Sequence, residues 1–421
     1  MVDQLMADRT PDLEAWEQAV WQAALQAGAH VLETVLARIG TGRREQPLRC
    51  GCGAVMQSVG RREKALTTLL GTVPYSRSLF VCPSCEASCF PGDRQLDIEQ
   101  TGFSPGVRRR MARAGSRESF GEAEEDLWFY SRIHVSRRDI ERIAEQVGQQ
   151  IECWQVLQPP APPTTVPTLY VSFDGTAAPM RRGELKGRKG KQADGSAKGR
   201  EVKVGCVFTQ TCLNEEGFPV RDEDSTTYVA GIESSTLFGD RIYHEALGRG
   251  LEQARRVIVL TDGAAYNKTI VQMHFPGAQH IIDLYHAREH LHLLADLVLS
   301  PALLPAQLDR WSLLLDQGAI EALLKEVQDR LPHAGKRRHE ALKQMRYFEK
   351  NTPFMRYAQF RNQGLFVGSG VIEAGCRTVV GQRLKQPGMF WSLRGAHAIL
   401  QIRCAILSRR FEAFWESRSA A

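Results

Sequence analysis

Two short apolar runs constrain this chain more than any other feature. Residues 257–260 and 281–284 are rich in β-branched side chains, and each is followed by a helical pattern. Runs this short are not helices of their own, so both read as buried strands of an α/β sheet. Each ends in polar residues: Asp262-Gly263 after the first, Asp283 and His286 around the end of the second. In open α/β sheets, ligand-binding groups gather at the carboxyl ends of strands. For Asp262 alone, capping of the next helix is an equally good reading.

An upstream partner shifts that balance. Leu169-Tyr170-Val171-Ser172-Phe173-Asp174-Gly175-Thr176 is another apolar strand pattern delivering Asp-Gly. Two such strands suggest two carboxylates side by side. Paired carboxylates bind hard divalent cations such as Mg²⁺ or Mn²⁺, and a two-metal site can clamp the attacking and leaving oxygens of a phosphodiester. Such a site wants a third acid on a later helix, and Gly368-Ser369-Gly370-Val371-Ile372-Glu373 supplies Glu373.

The 421 residues suffice for two to four domains and at least one large core. No apolar run is long enough to span a bilayer, and the polar, acidic first residues carry no signal or transit pattern. The expected location is the cytoplasm, in a bacterial setting with the nucleoid, and no membrane partner is expected. Ten cysteines in such a chain point to metal binding or core packing rather than disulfides. A net charge of +6 permits nucleic-acid binding without arguing for it.

Taken in order, residues 1–45 form an N-terminal helical segment, with apolar periodicity over 12–39 that suggests structural support or a dimer contact. Residues 46–98 read as a zinc-ribbon-like module. Cys50 and Cys52 make one knuckle, Cys82 and Cys85 the other, and two alternating segments joined at Gly71-Thr72 lie between them. Four thiolates from two turns make a structural zinc site. The first knuckle has one intervening residue rather than two, and Cys89 is an alternative ligand.

Residues 99–157 read as a helix-turn-helix domain. Ser119 with Glu122 forms a capping box opening a helix over 120–132, and Ser136 with Asp139 opens another over 137–151. In the latter, Ile140, Ile143, Ala144, Val147 and Ile151 form one apolar stripe and leave Arg137, Arg138 and Arg142 outward. Basic groups near a helix N-terminus suit the major groove, though a solvated charged face has the same look. Residues 158–167 hold five prolines and read as a stiff linker.

Residues 168–421 follow as strand, strand, strand, helix, strand, helix, strand, helix, the order of a ribonuclease-H-like fold. In that fold the first and fourth strands are neighbours, which sets Asp174 beside Asp262. An all-α insertion over about 300–365 interrupts the domain before Glu373, and a closing helix is expected over 396–416. The loop 181–200 carries eight Lys or Arg, among them Arg188, Lys189, Lys191 and Arg200, and reads as a phosphate-contacting arm or a solvated hairpin tip. Lys203, at the entry to the strand beyond it, is a further candidate for DNA contact. Arg383 and Lys385, interleaved with Phe390 and Trp391, suit DNA phosphates, with Trp391 favouring the core over base stacking.

Seven of these stretches together resemble a known family: Asp174-Gly-Thr, Gly-Arg-Glu-Val-Lys at 199–203, Asp222 with Ser-Thr-Thr-Tyr at 225–228, Thr-Asp-Gly at 261–263, 283–290, 368–373 and 381–391. The chain is similar over most of its length to the Kra group (ISKra) of bacterial insertion-sequence transposases of the DDE type. Asp283 with His286 also matches the Asp/Cys-x-x-His signature of Mutator- and hAT-like relatives. The resemblance implies a DNA transposase with Asp174, Asp262 and Glu373 holding two Mg²⁺ ions, binding terminal inverted repeats and target DNA as a homodimer or larger homo-oligomer. His286 would then touch the scissile phosphate or orient a carboxylate; the alternative is a hydrogen-bonding residue at a helix start. Two other readings stay open: a ribonuclease-H-like structure-specific nuclease, and a non-enzymatic DNA-binding regulator.

Overall fold

The structure is a computed structural model that describes residues 12–39, 46–158, 165–190 and 197–419. The chain divides into two compact units, Met1–Ala144 with Trp415–Ala421, and Glu145–Phe414.

The first unit opens with the helix Leu13–Ile39. Strands β1 (Gln57–Thr68), β2 (Gly71–Val81) and β3 (Ser88–Cys89) follow as an antiparallel sheet in that order. The hairpin turn is Leu69-Leu70, not Gly71-Thr72. Thr68 sets it there, because its hydroxyl donates to the Gly71 carbonyl and accepts the Leu70 N–H. Ala29, Leu32 and Leu36 of the helix pack on Leu66, Val73, Tyr75 and Ile98, a small core for so long a hairpin. Helices Pro105–Gly115, Phe120–Ser131 and Arg137–Val156 come next. The capping box at Ser119 and Glu122 is formed. Gly115 lets two of these helices close up, since a Cβ there would meet the Ile140 side chain at 2.8 Å.

The second unit is built on a five-stranded mixed sheet in the order β10-β9-β4-β5-β8. Its strands are β4 (Val166–Pro179), β5 (Gly199–Gln210), β8 (Thr227–Gly231), β9 (Ala254–Thr261) and β10 (Gln279–Ile282); β6 (Cys212–Leu213) and β7 (Pro219–Val220) form a separate ribbon. Pairs β4–β5 and β5–β8 are antiparallel, whereas β4–β9 and β9–β10 are parallel. The unbroken burial of Leu169, Tyr170, Val171, Ser172 and Phe173 makes β4 a central strand covered on both faces. One face packs Phe173, Val207 and Val259 against Phe238 and Ile242 of the helix Ser235–Gly248 and Ile270 of the helix Ala265–His274. On β4 and β5, Tyr170 stacks on Phe208 with centroids 4.8 Å apart, and Phe366 meets both rings edge-on.

After β10 the chain is helical: Leu284–Val298, Leu304–Asp316, Ile320–Gln328, Gly335–Asn351 and Tyr357–Asn362. The short helix Gly370–Gly375 carries Glu373 and runs into a π-helical turn, Cys376–Gly381. Arg403 of the helix Leu393–Leu407 donates to the Thr378 and Val379 carbonyls that the wider turn displaces. The expected closing helix is two helices, Leu393–Leu407 and Phe411–Ser419, because Arg409 adopts a left-handed φ of 57° between them. The expected linker also ends early, since Val166 already belongs to β4; residues 159–164 lie outside the described residues. Among the described residues, no helix is long and apolar enough to cross a membrane.

Candidate functional site

Register brings the two aspartates together. Ser172 of β4 and Leu260 of β9 are the last pair of their parallel ladder, and Asp174 and Asp262 each follow two residues beyond it. On the far side Ile282 pairs with Thr261, so Asp283 continues the row. Burial pushes the Asp174 carboxyl up; the Gly175 N–H pulls it down, Asp262 adds to the rise, His286 opposes it, and Glu373 adds again. Asp174, Asp262, Glu373 and His286 therefore share one electrostatic neighbourhood.

Each carboxylate is held by one oxygen. Asp174 Oδ1 accepts the N–H of Gly175 at 2.6 Å, while among the described residues Oδ2 has only the Cys376 thiol at 3.9 Å. Asp262 Oδ1 accepts the Ala264 N–H at 2.9 Å and the Asn267 amide at 2.6 Å. Glu373 Oε1 takes the Ser369 hydroxyl at 3.0 Å. Among the described residues, Asp262 Oδ2 and Glu373 Oε2 have no hydrogen bond. Crowded carboxylates that each keep an oxygen in reserve form a donor set of hard oxygens suited to Mg²⁺ or Mn²⁺. Among the described residues, however, only four cysteines form a group of His, Cys, Asp or Glu ligand atoms all within 4.8 Å of one another. The three carboxylates do not converge on one point. Two ions about 4 Å apart would not require them to.

A buried cap organises the site from behind. Asp283, fully buried, accepts the N–H groups of Tyr285 and His286 and so begins the helix at Leu284. It also accepts the Ser369 N–H at 3.0 Å and hydroxyl at 2.8 Å. The Ser369 hydroxyl thus lies between Asp283 and Glu373, and its single proton can go to only one of them at a time. His286 Nδ1 lies 3.3 Å from Asp283, whose carboxylate raises the imidazole pKa to about 9. Burial alone would push Asp283 up, but His286 and Ser369 hold it below the usual range.

Several of these groups escaped sequence reasoning. Ser369 was signalled only by its place four residues before Glu373. Neither Asn267 nor Glu201 carries a sequence signature of its own; Glu201 Oε1 would lie 2.7 Å from a Cβ at Gly175. Tyr347 donates to the Asp262 carbonyl and stacks on His290, which bonds Gln344 at 2.6 Å; His290 is a brace between helices.

The basic candidates divide. Arg137 and Arg138 are exposed at the start of their helix, while Arg142 is tied to Asp139 at 2.9 Å. Arg188 and Lys189 are exposed; Lys191 lies outside the described residues. Burial, and then repulsion from Arg188, lowers the Arg200 pKa against an opposing pull from Glu184. Lys385 donates to Thr176, two residues past Asp174, at 2.6 Å. Two expectations are corrected. Lys203 is only 7 % exposed and is spent on Glu201 and the Glu233 carbonyl. Arg383 is 1 % exposed, with its guanidinium over the Trp391 ring at 4.7 Å. Trp391 itself is core, donating to the Leu384 carbonyl.

In the first unit the four cysteine sulfurs of Cys50, Cys52, Cys82 and Cys85 close into one cluster. Cys50–Cys85 and Cys52–Cys82 are each 3.5 Å apart, far beyond a disulfide. A zinc tetrahedron with bonds of about 2.3 Å has edges of about 3.8 Å, so the cluster fits structural zinc. The Cys85 and Ser84 N–H groups draw the Cys82 thiol down to about 6. Cys89 lies against Met56 Sδ, outside the four-cysteine cluster.

No family model matches the chain, and no curated protein matches it. Among solved structures it is similar to the Drosophila P element transposase strand transfer complex, at 11% identity, with 78% of this chain and 85% of that chain covered and a TM-score of 0.26. A TM-score that low carries no argument for fold or activity.

Proposed function

We propose that this chain is a DNA transposase of the DDE type, with a ribonuclease-H-like catalytic domain over residues 168–421, an all-α insertion over about 300–365, and DNA-reading modules over 46–98 and 99–157. One observation carries the reading: Asp174 within β4 and Asp262 just past β9 each lie two residues beyond Ser172–Leu260, the last pair of two adjacent parallel strands of the β10-β9-β4-β5-β8 sheet, with Glu373 and His286 in electrostatic reach. Three antiparallel strands continued by two parallel ones is the order the ribonuclease-H-like reading requires.

Asp174, Asp262 and Glu373 would hold divalent cations, which when bound neutralise phosphate charge and lower the pKa of an attacking water or 3′-hydroxyl. The chain's own residues do the rest. Asn267 and the Ala264 N–H fix the Asp262 carboxylate, and Ser369 fixes Glu373, so the carboxylates enter the reaction already oriented. His286, protonated at neutral pH, lies where it would offset phosphate charge or hold the acidic group together. Lys385, Arg188 and Arg200 supply cationic surface for the strand backbone. In each step an oxygen–phosphorus bond forms as the bond to the departing 3′-oxygen breaks; the incoming hydroxyl gives up its proton to solvent, and the departing oxygen takes one up from solvent. The same displacement cuts an element end and joins it to a target.

A strand-transfer assay tests this. Purified protein, Mg²⁺, a labelled duplex carrying a terminal inverted repeat and a plasmid target are incubated beside Glu373→Gln. Joined product from wild type alone is expected. Cutting without joining would replace the reading with a structure-specific nuclease, and tight end binding without any reaction would replace it with a DNA-binding regulator.

A further inference from the structure

The helix Leu13–Ile39 has two apolar faces, and the structure accounts for one. Ala29, Leu32 and Leu36 pack on the β1–β2 hairpin, and Gly28 lies against Leu70. The other face holds Leu13, Val20, Val31 and Val35, between 46% and 67% exposed, with exposed Ala24 and Ala27 between them. Leu13, Ala24 and Val35 recur every eleven residues, as do Val20 and Val31. Eleven residues make three helical turns and about 20°, so these side chains form one nearly straight stripe. A stripe of this kind pairs with another helix. Two charged residues, Glu17 and Arg38, lie along it, and among the described residues neither has an ion-pair partner.

We infer that this stripe seats a second copy of the chain, with the two helices packed antiparallel about a two-fold axis beside Ala27. In that register Glu17 of one copy faces Arg38 of the other, Val20 faces Val35, and Ala24 faces Val31. Ala27, exposed and small, lets the two helices approach where they cross. The stripe is thus complementary to itself in shape and charge, as a two-fold interface demands. A parallel pair would set Glu17 on Glu17 and Arg38 on Arg38, which is repulsive at both ends. The interface rests on the first unit alone and stands whether or not the chain moves DNA.

Sedimentation velocity and thiol cross-linking on the full-length protein test it. Wild type is expected to form a concentration-dependent dimer. Val20→Asp and Val31→Asp should sediment as monomers with unchanged zinc content and circular dichroism. Glu17→Arg or Arg38→Glu alone should weaken the dimer, and the two together should restore it. Under mild oxidation Ala27→Cys should give a covalent dimer that wild type does not form, and Val20→Cys should do so only when combined with Val35→Cys. A monomeric wild type, a dimer that survives both aspartates, or a cross-link from Val20→Cys alone would each overturn the proposal.

Discussion

The four cysteines and the three carboxylates are both sets of side chains able to ligate a metal, and the chain arranges them oppositely. The cysteines come from two knuckles at the base of one hairpin, and their sulfurs converge within 4.8 Å. The carboxylates come from β4, from the end of β9 and from a later helix, and they stay short of one coordination sphere. The thiols have little other structure to support: Met56, Phe80 and Cys82 are the buried members of the small core around them. The carboxylates sit on a sheet buried on both faces, which would persist without them. A site that closes on itself exchanges ligand freedom for folding energy, whereas one that stays open spends folding energy to keep ligands available.

Metal removal should break this comparison most widely. Structural zinc contributes on the order of 10 kcal/mol to small domains. Chelation or Cys82→Ser should therefore abolish hydrogen-exchange protection of the β1–β2 amides and leave that of the β4–β9 amides intact. Full β1–β2 protection in protein verified to be zinc-free would sink the idea. The acidic group should respond with the opposite sign. Asp262→Asn removes like-charge repulsion, so stability without added divalent metal should rise by up to about 1 kcal/mol. Its cleavage rate should fall by roughly 10³, the factor that several kcal/mol of lost charge stabilisation implies. Wild-type cleavage in this variant would remove Asp262 from the mechanism.

Much of this contrast was legible in the sequence because it rests on local chemistry. Apolar runs marked β4, β9 and β10, cysteine spacing marked the knuckles, and Asp-Gly marked the end of β9 but not that of β4, which runs on to Pro179. What stayed hidden depends on contacts between distant segments. Ser369 reaches Asp283 across the sheet edge only because Leu284 also donates to the Val367 carbonyl, which aligns the two segments. Lys203 and Arg383 read as solvent-facing charges, yet Glu201, the Glu233 carbonyl and the Trp391 ring offset their burial. The hairpin turn moved because a threonine hydroxyl outweighed a glycine's freedom. Arg409 breaks the closing helix in a conformation that no residue type there announces.

Ser369 sharpens the comparison at smaller scale, since it is where the open site borrows rigidity from the fold. Groups that orient a metal ligand are worth about 10–100-fold in affinity or activity. Ser369→Ala should raise the Mg²⁺ concentration needed for half-maximal cleavage by that factor. Ser369→Thr, which keeps the hydroxyl, should recover most of it. A Ser369→Ala enzyme with unchanged metal dependence but lower thermal stability would reduce the serine to a helix cap for Glu373.

The smallest effect concerns His286, and its sign is fixed by its pKa of about 9, raised chiefly by Asp283. A histidine unfolded in water titrates near 6.5. Below that pH the imidazole is charged in both states, and its attraction to Asp283 stabilises the fold in full. Between about 6.5 and 9 the unfolded chain releases the proton while the folded chain keeps it, so this contribution shrinks steadily as pH rises and is gone above 9. Chemical denaturation without added divalent metal should show wild-type stability falling over that window, with the fall reduced in His286→Gln. Bound Mg²⁺ should flatten the slope as well, because cations beside Asp174 and Asp262 disfavour a protonated neighbour. The zinc module offers no counterpart: its ligands titrate with the metal, so there stability should rise with pH as thiols ionise. Parallel slopes for the two sites would mean that His286 does not share the electrostatic field of the carboxylates.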